Sequence, residues 1–169
     1  MRQLSLSIIY ILLFALFGCS QKYGINKSYA FTRTQTAGTV PVNDNNRPQS
    51  KGVKKIYLIY LEVVDTISKP QWDTAWIEDA AFSVQPLKIE QDSIFIGTSS
   101  SDQKKISLTA SAGYFLWQLL LTPISFSTQR NDIQDKTKKP AVTLSGTWKG
   151  KEVNYKIKEI TELERIFME

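Results

Sequence analysis

Residues 53–64 read VKKIYLIYLEVV, a run of β-branched and aromatic residues. Laid out with a period of two, Ile56, Leu58 and Tyr60 fall on one face and Tyr57, Ile59, Leu61 and Val63 on the other. A strand that is apolar on both faces belongs in the middle of a sheet, covered on two sides. The polar stretch DTISKPQ (65–71), with Pro70, turns the chain after it.

Downstream the same period recurs in shorter pieces. SIFIG (93–97) reads as a strand closed by Gly97 and the turn TSSSD. KKISLTA (104–110) alternates, with Ile106 and Leu108 inward and Ser107 and Thr109 outward. VTLSGTW (142–148) and EVNYKIK (152–158), joined through Lys149-Gly150-Lys151, form the clearest hairpin. Gly146 inside its first strand marks a bulge or a neighbour that packs closely. GYFLWQLLLTP (113–123) is the most hydrophobic stretch after residue 19. It reads as a second central strand or a buried helix, or, if exposed, as a partner face.

In TELERIFM (161–168), Thr161 and Glu164 stand at capping-box spacing. Leu163, Ile166 and Phe167 recur at i, i+3 and i+4, which predicts a short C-terminal helix, with a continued strand as the competing reading. About six short strands without βαβ spacing predict a mostly β chain, a single antiparallel β-sandwich or barrel-like domain over residues 53–169.

Upstream the pattern changes. Residues 20–52 are polar and turn-rich, with no period of two or 3.6, and predict a flexible tether. Such a coil spans roughly 30 Å root-mean-square. At the N-terminus, Arg2 precedes an uncharged apolar run from Leu4 to Phe17. A membrane-spanning helix needs about 20 apolar residues and a secretory core only about 7–15, so the length favours an export signal over residues 1–18.

The apolar run ends in Leu16-Phe17-Gly18-Cys19, which holds the chain's only cysteine. This stretch resembles the lipobox of bacterial lipoproteins, with bulky Phe17 where that family usually has a smaller residue. The resemblance covers the first twenty residues alone. It implies that the Cys19 thiol carries a diacylglycerol, that the signal is cut before Cys19, and that residues 19–52 begin with the lipidated cysteine. Several acyl chains hold a protein durably on a membrane. Ser20 is not the aspartate that retains lipoproteins at the inner membrane in some bacteria, so the resemblance favours the outer membrane, facing the periplasm.

Composition then excludes several chemistries. The net charge of +5 comes from the first 52 residues, because residues 53–169 hold 15 Lys and Arg against 15 Asp and Glu. A domain without a basic field is not a nucleic-acid binder. The chain has no histidine, and Cys19 is assigned to lipid. Histidine-based triads, cysteine nucleophiles and the usual zinc sites are therefore absent from this reading, and no cofactor or metal is implied.

The remaining constellations are weak. Trp72 and Trp76 in WDTAW lie four residues apart, on one side of a regular strand or helix turn. Paired indoles can stack on sugar rings, but large aromatics build cores as readily. Ser101 and Lys104 match an S-x-x-K spacing, yet in a turn and without the motifs that accompany it in penicillin-recognising enzymes. Asn43 to Asn46 lack the glycine and glutamate of a calcium loop. Asn26-Lys27-Ser28 fits a glycosylation pattern. Lys136, Lys138 and Lys139 cluster in the long stretch 123–140 and read as a solvated loop or a contact with lipid headgroups or an acidic partner.

The sequence therefore predicts a membrane-anchored envelope lipoprotein, a non-catalytic accessory or interaction module with an envelope protein partner. A glycan-binding module using Trp72 and Trp76 is the alternative. A carboxylate-dependent hydrolase would need two carboxylates across a cleft at about 5–10 Å, and no such pair is visible.

Overall fold

The computed structural model describes residues 22–37, 53–64, 70–124 and 141–168. After a 3-10 turn at Lys22–Gly24 come strands β1 (Ile25–Ala37), β2 (Val53–Val64), β3 (Gln71–Ile77), β4 (Ala80–Lys88) and β5 (Ser93–Thr98). They are followed by β6 (Lys105–Thr109), β7 (Tyr114–Pro123), β8 (Val142–Trp148), β9 (Lys151–Ile157) and β10 (Thr161–Met168). The chain is mostly β, as its alternating segments predict.

Eight strands form one sheet in the order β10-β1-β2-β7-β4-β3-β8-β9, and β5 pairs with β6 in a small second sheet. The pairings are antiparallel except that between β1 and β10. The large sheet curls into a half-barrel. Although five strands separate β9 from β1 in its order, the Tyr155 hydroxyl of β9 donates to the Ser28 hydroxyl of β1 at 3.2 Å.

Two segments depart from the sequence reading. Residues 25–37, expected within the flexible tether, form β1, paired with β2 along nearly its whole length and with β10 on its other side. The rest of that tether, 38–52, lies outside the described residues, as does most of 123–140. The C-terminal segment is strand β10 rather than a helix. Leu163 is buried at 1% exposure among residues of β1, β2 and β5, while Phe167 stays 72% exposed, so one strong anchor suits an edge strand better than an apolar helix stripe.

The core has two halves, one on each face of the sheet. Inside the curl, Ile59 and Leu61 pack with Ala75, Ile77, Leu119 and Leu144. On the outer face, Phe31, Tyr60, Leu116 and Leu163 are covered by Ile96 and Leu108 of the small sheet. The two apolar faces of β2 serve one half each. Arg33 of β1 donates to the Ile96 carbonyl, and the Ser100 amide donates to the Glu162 carbonyl at 2.9 Å, pinning the small sheet in place. The 113–123 stretch is a central strand, with Leu116 and Leu119 buried on opposite faces.

The predicted hairpin pairs Val142 with Ile157 through Trp148 with Lys151. Gly146 marks a close neighbour: a Cβ there would sit 2.0 Å from the Gln71 carbonyl oxygen. The β3 register also shifts opposite it, between Trp72 and Thr74.

Candidate functional site

β3 and β4 pair only from Thr74–Ser83 to Ile77–Ala80, whereas β4 continues against β7 as far as Lys88. The far ends of β3 and β4 therefore splay apart. Pro86 stands in this stretch, where β4 has no ladder partner on the β3 side and a missing N–H is tolerated.

On the inner face at this splay opens a cavity of about 400 Å³. Leu61 and Val63 of β2, Trp117 and Leu119 of β7, Pro86 and Trp72 form most of its wall. Ile25 and Pro70 add apolar surface, and Gln71 is the one lining residue with a polar, non-aromatic side chain. Its volume falls in the range of small-molecule sites, and its wall is mostly apolar.

Trp72 forms part of this wall at 6% exposure. Its ring meets Tyr23 edge-on at 6.3 Å and is tilted against Tyr155 at 6.3 Å. Tyr23 also lies edge-on to Trp148 at 5.4 Å. Its backbone is held at φ 63°, a left-handed conformation that costs a non-glycine residue energy and persists because the contacts around it are fixed.

Trp76 is placed differently. The register shift between Trp72 and Thr74 changes the phase of β3: Trp72, Ala75 and Ile77 are buried, and half-buried Trp76 falls between the last two, on the outer face. A regular strand would put both indoles on one side; the bulge separates them. They form no joint stacking platform, and only Trp72 lines the cavity.

A charge stands one ladder position from the lining residues. Ile25, Val63 and Phe115 are neighbours across β1, β2 and β7. Lys88, opposite Trp117 in the ladder, places its ammonium 3.9 Å from the centre of the Phe115 ring. Directly paired residues share a face, so Lys88 stands beside one lining residue, Trp117. In the β8–β9 turn Lys149 lies over the Trp148 ring at 4.5 Å.

A second polar centre lies on the opposite face. Glu62 is fully buried; its Oε1 accepts from Asn26 Nδ2 and from the Ser111 amide, both at 2.9 Å. Lys27 Nζ approaches Oε2 at 3.6 Å and donates to the Ser111 hydroxyl at 3.3 Å. Burial alone would raise this carboxyl, but the hydrogen bonds from Ser111 and Asn26, with the Lys27 charge, outweigh it and hold Glu62 below its ordinary range. Asn26, in the glycosylation pattern, is thus engaged by Glu62. Sequence reasoning missed this carboxylate; its one signal was a lone acid within the apolar run that ends β2.

The S-x-x-K spacing does not form a catalytic pair. Lys104 is exposed and bonds Asp102 at 2.9 Å, which raises the ammonium and holds Asp102 down at about 2. A raised lysine is the opposite of a general base. Among the described residues no group of Cys, Asp and Glu could hold a metal ion. Cys19, Asn43 to Asn46 and the Lys136, Lys138 and Lys139 cluster lie outside the described residues. Comparison of the chain with protein-family models, curated proteins and solved structures finds no match.

Proposed function

We propose that this chain is a lipid-anchored, non-catalytic binding module of the bacterial envelope, attached through Cys19 and holding an apolar ligand in the concave face of its half-barrel. The observation that carries the reading is the cavity, whose wall is mostly apolar and whose one polar, non-aromatic side chain is Gln71. The lipobox resemblance supports the outer membrane facing the periplasm as its location. An accessory role beside an envelope protein partner fits a small lipid-anchored module with a ligand site.

The strand β1 alters how such an anchor works. Only five residues separate Cys19 from Ile25, which lines the cavity. At about 3.5 Å per extended residue that segment reaches at most about 20 Å. The anchored half-barrel is thus held close to the membrane, not hung from a long N-terminal tether.

Two experiments test this. Cys19→Ala moves the protein from the membrane fraction to the soluble fraction if the anchor is real; unchanged fractionation rejects it. The full chain bearing Cys19→Ala, titrated with a neutral naphthylamine dye, gives saturable binding that dodecanol displaces. Pro86→Phe, which projects a ring into the cavity from the unpaired side of β4, weakens that binding. Absence of saturable binding rejects the cavity as a ligand site.

A further inference from the structure

We infer that one acyl chain of the Cys19 lipid lies in the cavity, so that the protein's own anchor fills its binding site. This rests on both parts of the proposed function, the lipid at Cys19 and the apolar site, and names the occupant.

Three observations converge on it. First, the chain enters β1 from the concave side. Tyr23 and Gly24 both take left-handed backbone conformations, at φ 63° and 72°, and turn the chain sharply before Ile25. The turn lays Tyr23 against the inner cluster that holds Leu61, Val63, Trp72 and Leu119, all of them cavity wall, and Ile25 is itself part of that wall. Tyr23 thus stands on the cavity's side of the sheet. Second, the distance to the anchor is short. Three residues separate Tyr23 from Cys19. At about 3.5 Å per extended residue, the Cys19 Cα lies within about 14 Å of the Tyr23 Cα whatever path the segment takes. The Tyr23 ring lies 6.3 Å, centre to centre, from that of Trp72. An acyl chain attached at Cys19 is of comparable length, so it reaches the wall. Joined by so short a segment, it meets the cavity at an effective concentration on the order of millimolar.

Third, the wall suits hydrocarbon that arrives without a headgroup. The described residues that line the cavity carry no charged side chain, and Gln71 is their one polar, non-aromatic side chain. A phospholipid would have to leave the bilayer together with its headgroup, whereas a chain tied to Cys19 brings none. A volume of about 400 Å³ lies near the lower end for ligand pockets, room for one acyl chain and not for several. The rest of the lipid stays in the bilayer and keeps the protein there. With one chain drawn in, the concave face is held toward the membrane, and any other apolar ligand must displace the tethered chain.

The test uses the protein as cells process it. Bacteria expressing the full chain are supplied with a diazirine-bearing fatty acid, which enters their lipids, the Cys19 lipid among them. Irradiation followed by mass spectrometry of the digested protein reads what the labelled chain touched. The expected product is the lipid-bearing Cys19 peptide joined to a peptide of β2 or β7 that carries Leu61, Val63 or Leu119. Pro86→Phe, which narrows the cavity, loses most of that product while its Cys19 peptide keeps the lipid. Circular dichroism of the Cys19→Ala chain with and without Pro86→Phe separates a narrowed cavity from lost folding.

Cross-links from the Cys19 lipid to phospholipid alone, or to the protein with a yield that survives Pro86→Phe, overturn the inference. So does a cavity wall carrying the mass of a free fatty acid or a phospholipid instead of the Cys19 lipid; that outcome leaves the apolar site standing, with a ligand supplied from outside the chain. If the Cys19→Ala chain shows no saturable dye binding, the apolar site fails. If the Cys19 peptide carries no lipid, the anchor fails. Either of these removes the inference together with its basis.

Discussion

Replacing Glu62 with glutamine isolates the charge of a buried carboxylate while keeping its shape. Glutamine retains an oxygen for the Asn26 and Ser111 donors, both 2.9 Å from Oε1. It puts an NH₂ group where Oε2 faces Lys27 at 3.6 Å, donor against donor. Two hydrogen bonds fall from charge-assisted, about 1.5–3 kcal/mol each, to neutral, about 0.5–1.5 kcal/mol each. The half-exposed Lys27 contributes below about 1 kcal/mol as an ion pair. Against these losses, an amide is cheaper to bury than a carboxylate. The net expectation at neutral pH is a destabilisation of about 1–2 kcal/mol. Urea unfolding followed by circular dichroism should show a midpoint lowered by about 0.5–1 M, for a slope of roughly 2 kcal/mol/M. Because the folded carboxyl is held below its ordinary value of 4.5, ionised Glu62 stabilises the fold above that pH. That stabilisation is lost as pH falls through the folded value. The gap between the parent and Glu62→Gln must therefore be full at pH 7 and shrink progressively below about pH 4.5. A variant as stable as the parent at pH 7, or a gap that widens on acidification, would refute the reasoning.

Gly146→Ala would place a methyl 2.0 Å from the Gln71 carbonyl oxygen and 2.9 Å from the Trp72 Cα, both backbone atoms that cannot swing aside. Thermal unfolding should register a loss of about 2–3 kcal/mol, and a neutral result would mean that β3 and β8 can part to admit a methyl. Thr32→Pro tests β1 directly, since Thr32 lies between Tyr57 of β2 and Glu162 of β10. Loss of a ladder hydrogen bond inside a paired strand should cost about 2 kcal/mol or more in urea unfolding, whereas no effect would return residues 25–37 to the status of a tether.

The strands legible in the sequence were those whose hydrophobicity alternates or saturates. β2 has large apolar residues on both faces, so composition alone identified a central strand. β1 escaped because its alternation is one of size, not of hydrophobicity. Along INKSYAFTRTQTA, the residues paired with the inner face of β2 are Ser28, Ala30, Thr32, Thr34 and Thr36. Facing outward are Lys27, Tyr29, Phe31, Arg33 and Gln35. Small and polar side chains spaced by two look like linker composition, yet they line a curled interior where bulkier residues from β2 and β7 already occupy the space. β10 was misread for a related reason. With Leu163 its one deeply buried apolar side chain, the spacing of Ile166 and Phe167 mimicked a helix stripe although both remain exposed.

The site was legible only in part, and the reason is positional. Trp72 was singled out, but its relation to Trp76 depended on a bulge that no local signal in WDTAW announces; the glycine opposite it, Gly146, announced it from 74 residues away. The close approach at Gly146 brings the start of β3 against β8, turns Trp72 inward and accompanies the parting of β3 from β4, where the cavity opens. Pro86 is read from the same geometry, because only a strand that has lost its β3 neighbour can carry a proline facing Leu119 across the β7 ladder. Lys88 comes two residues later on the same face, at the end of the strand, where its ammonium lies over the Phe115 ring. Strand periodicity thus ties Pro86, which lines the cavity, to Lys88: once β4 runs past β3, both side chains stand on its inner face against β7 alone.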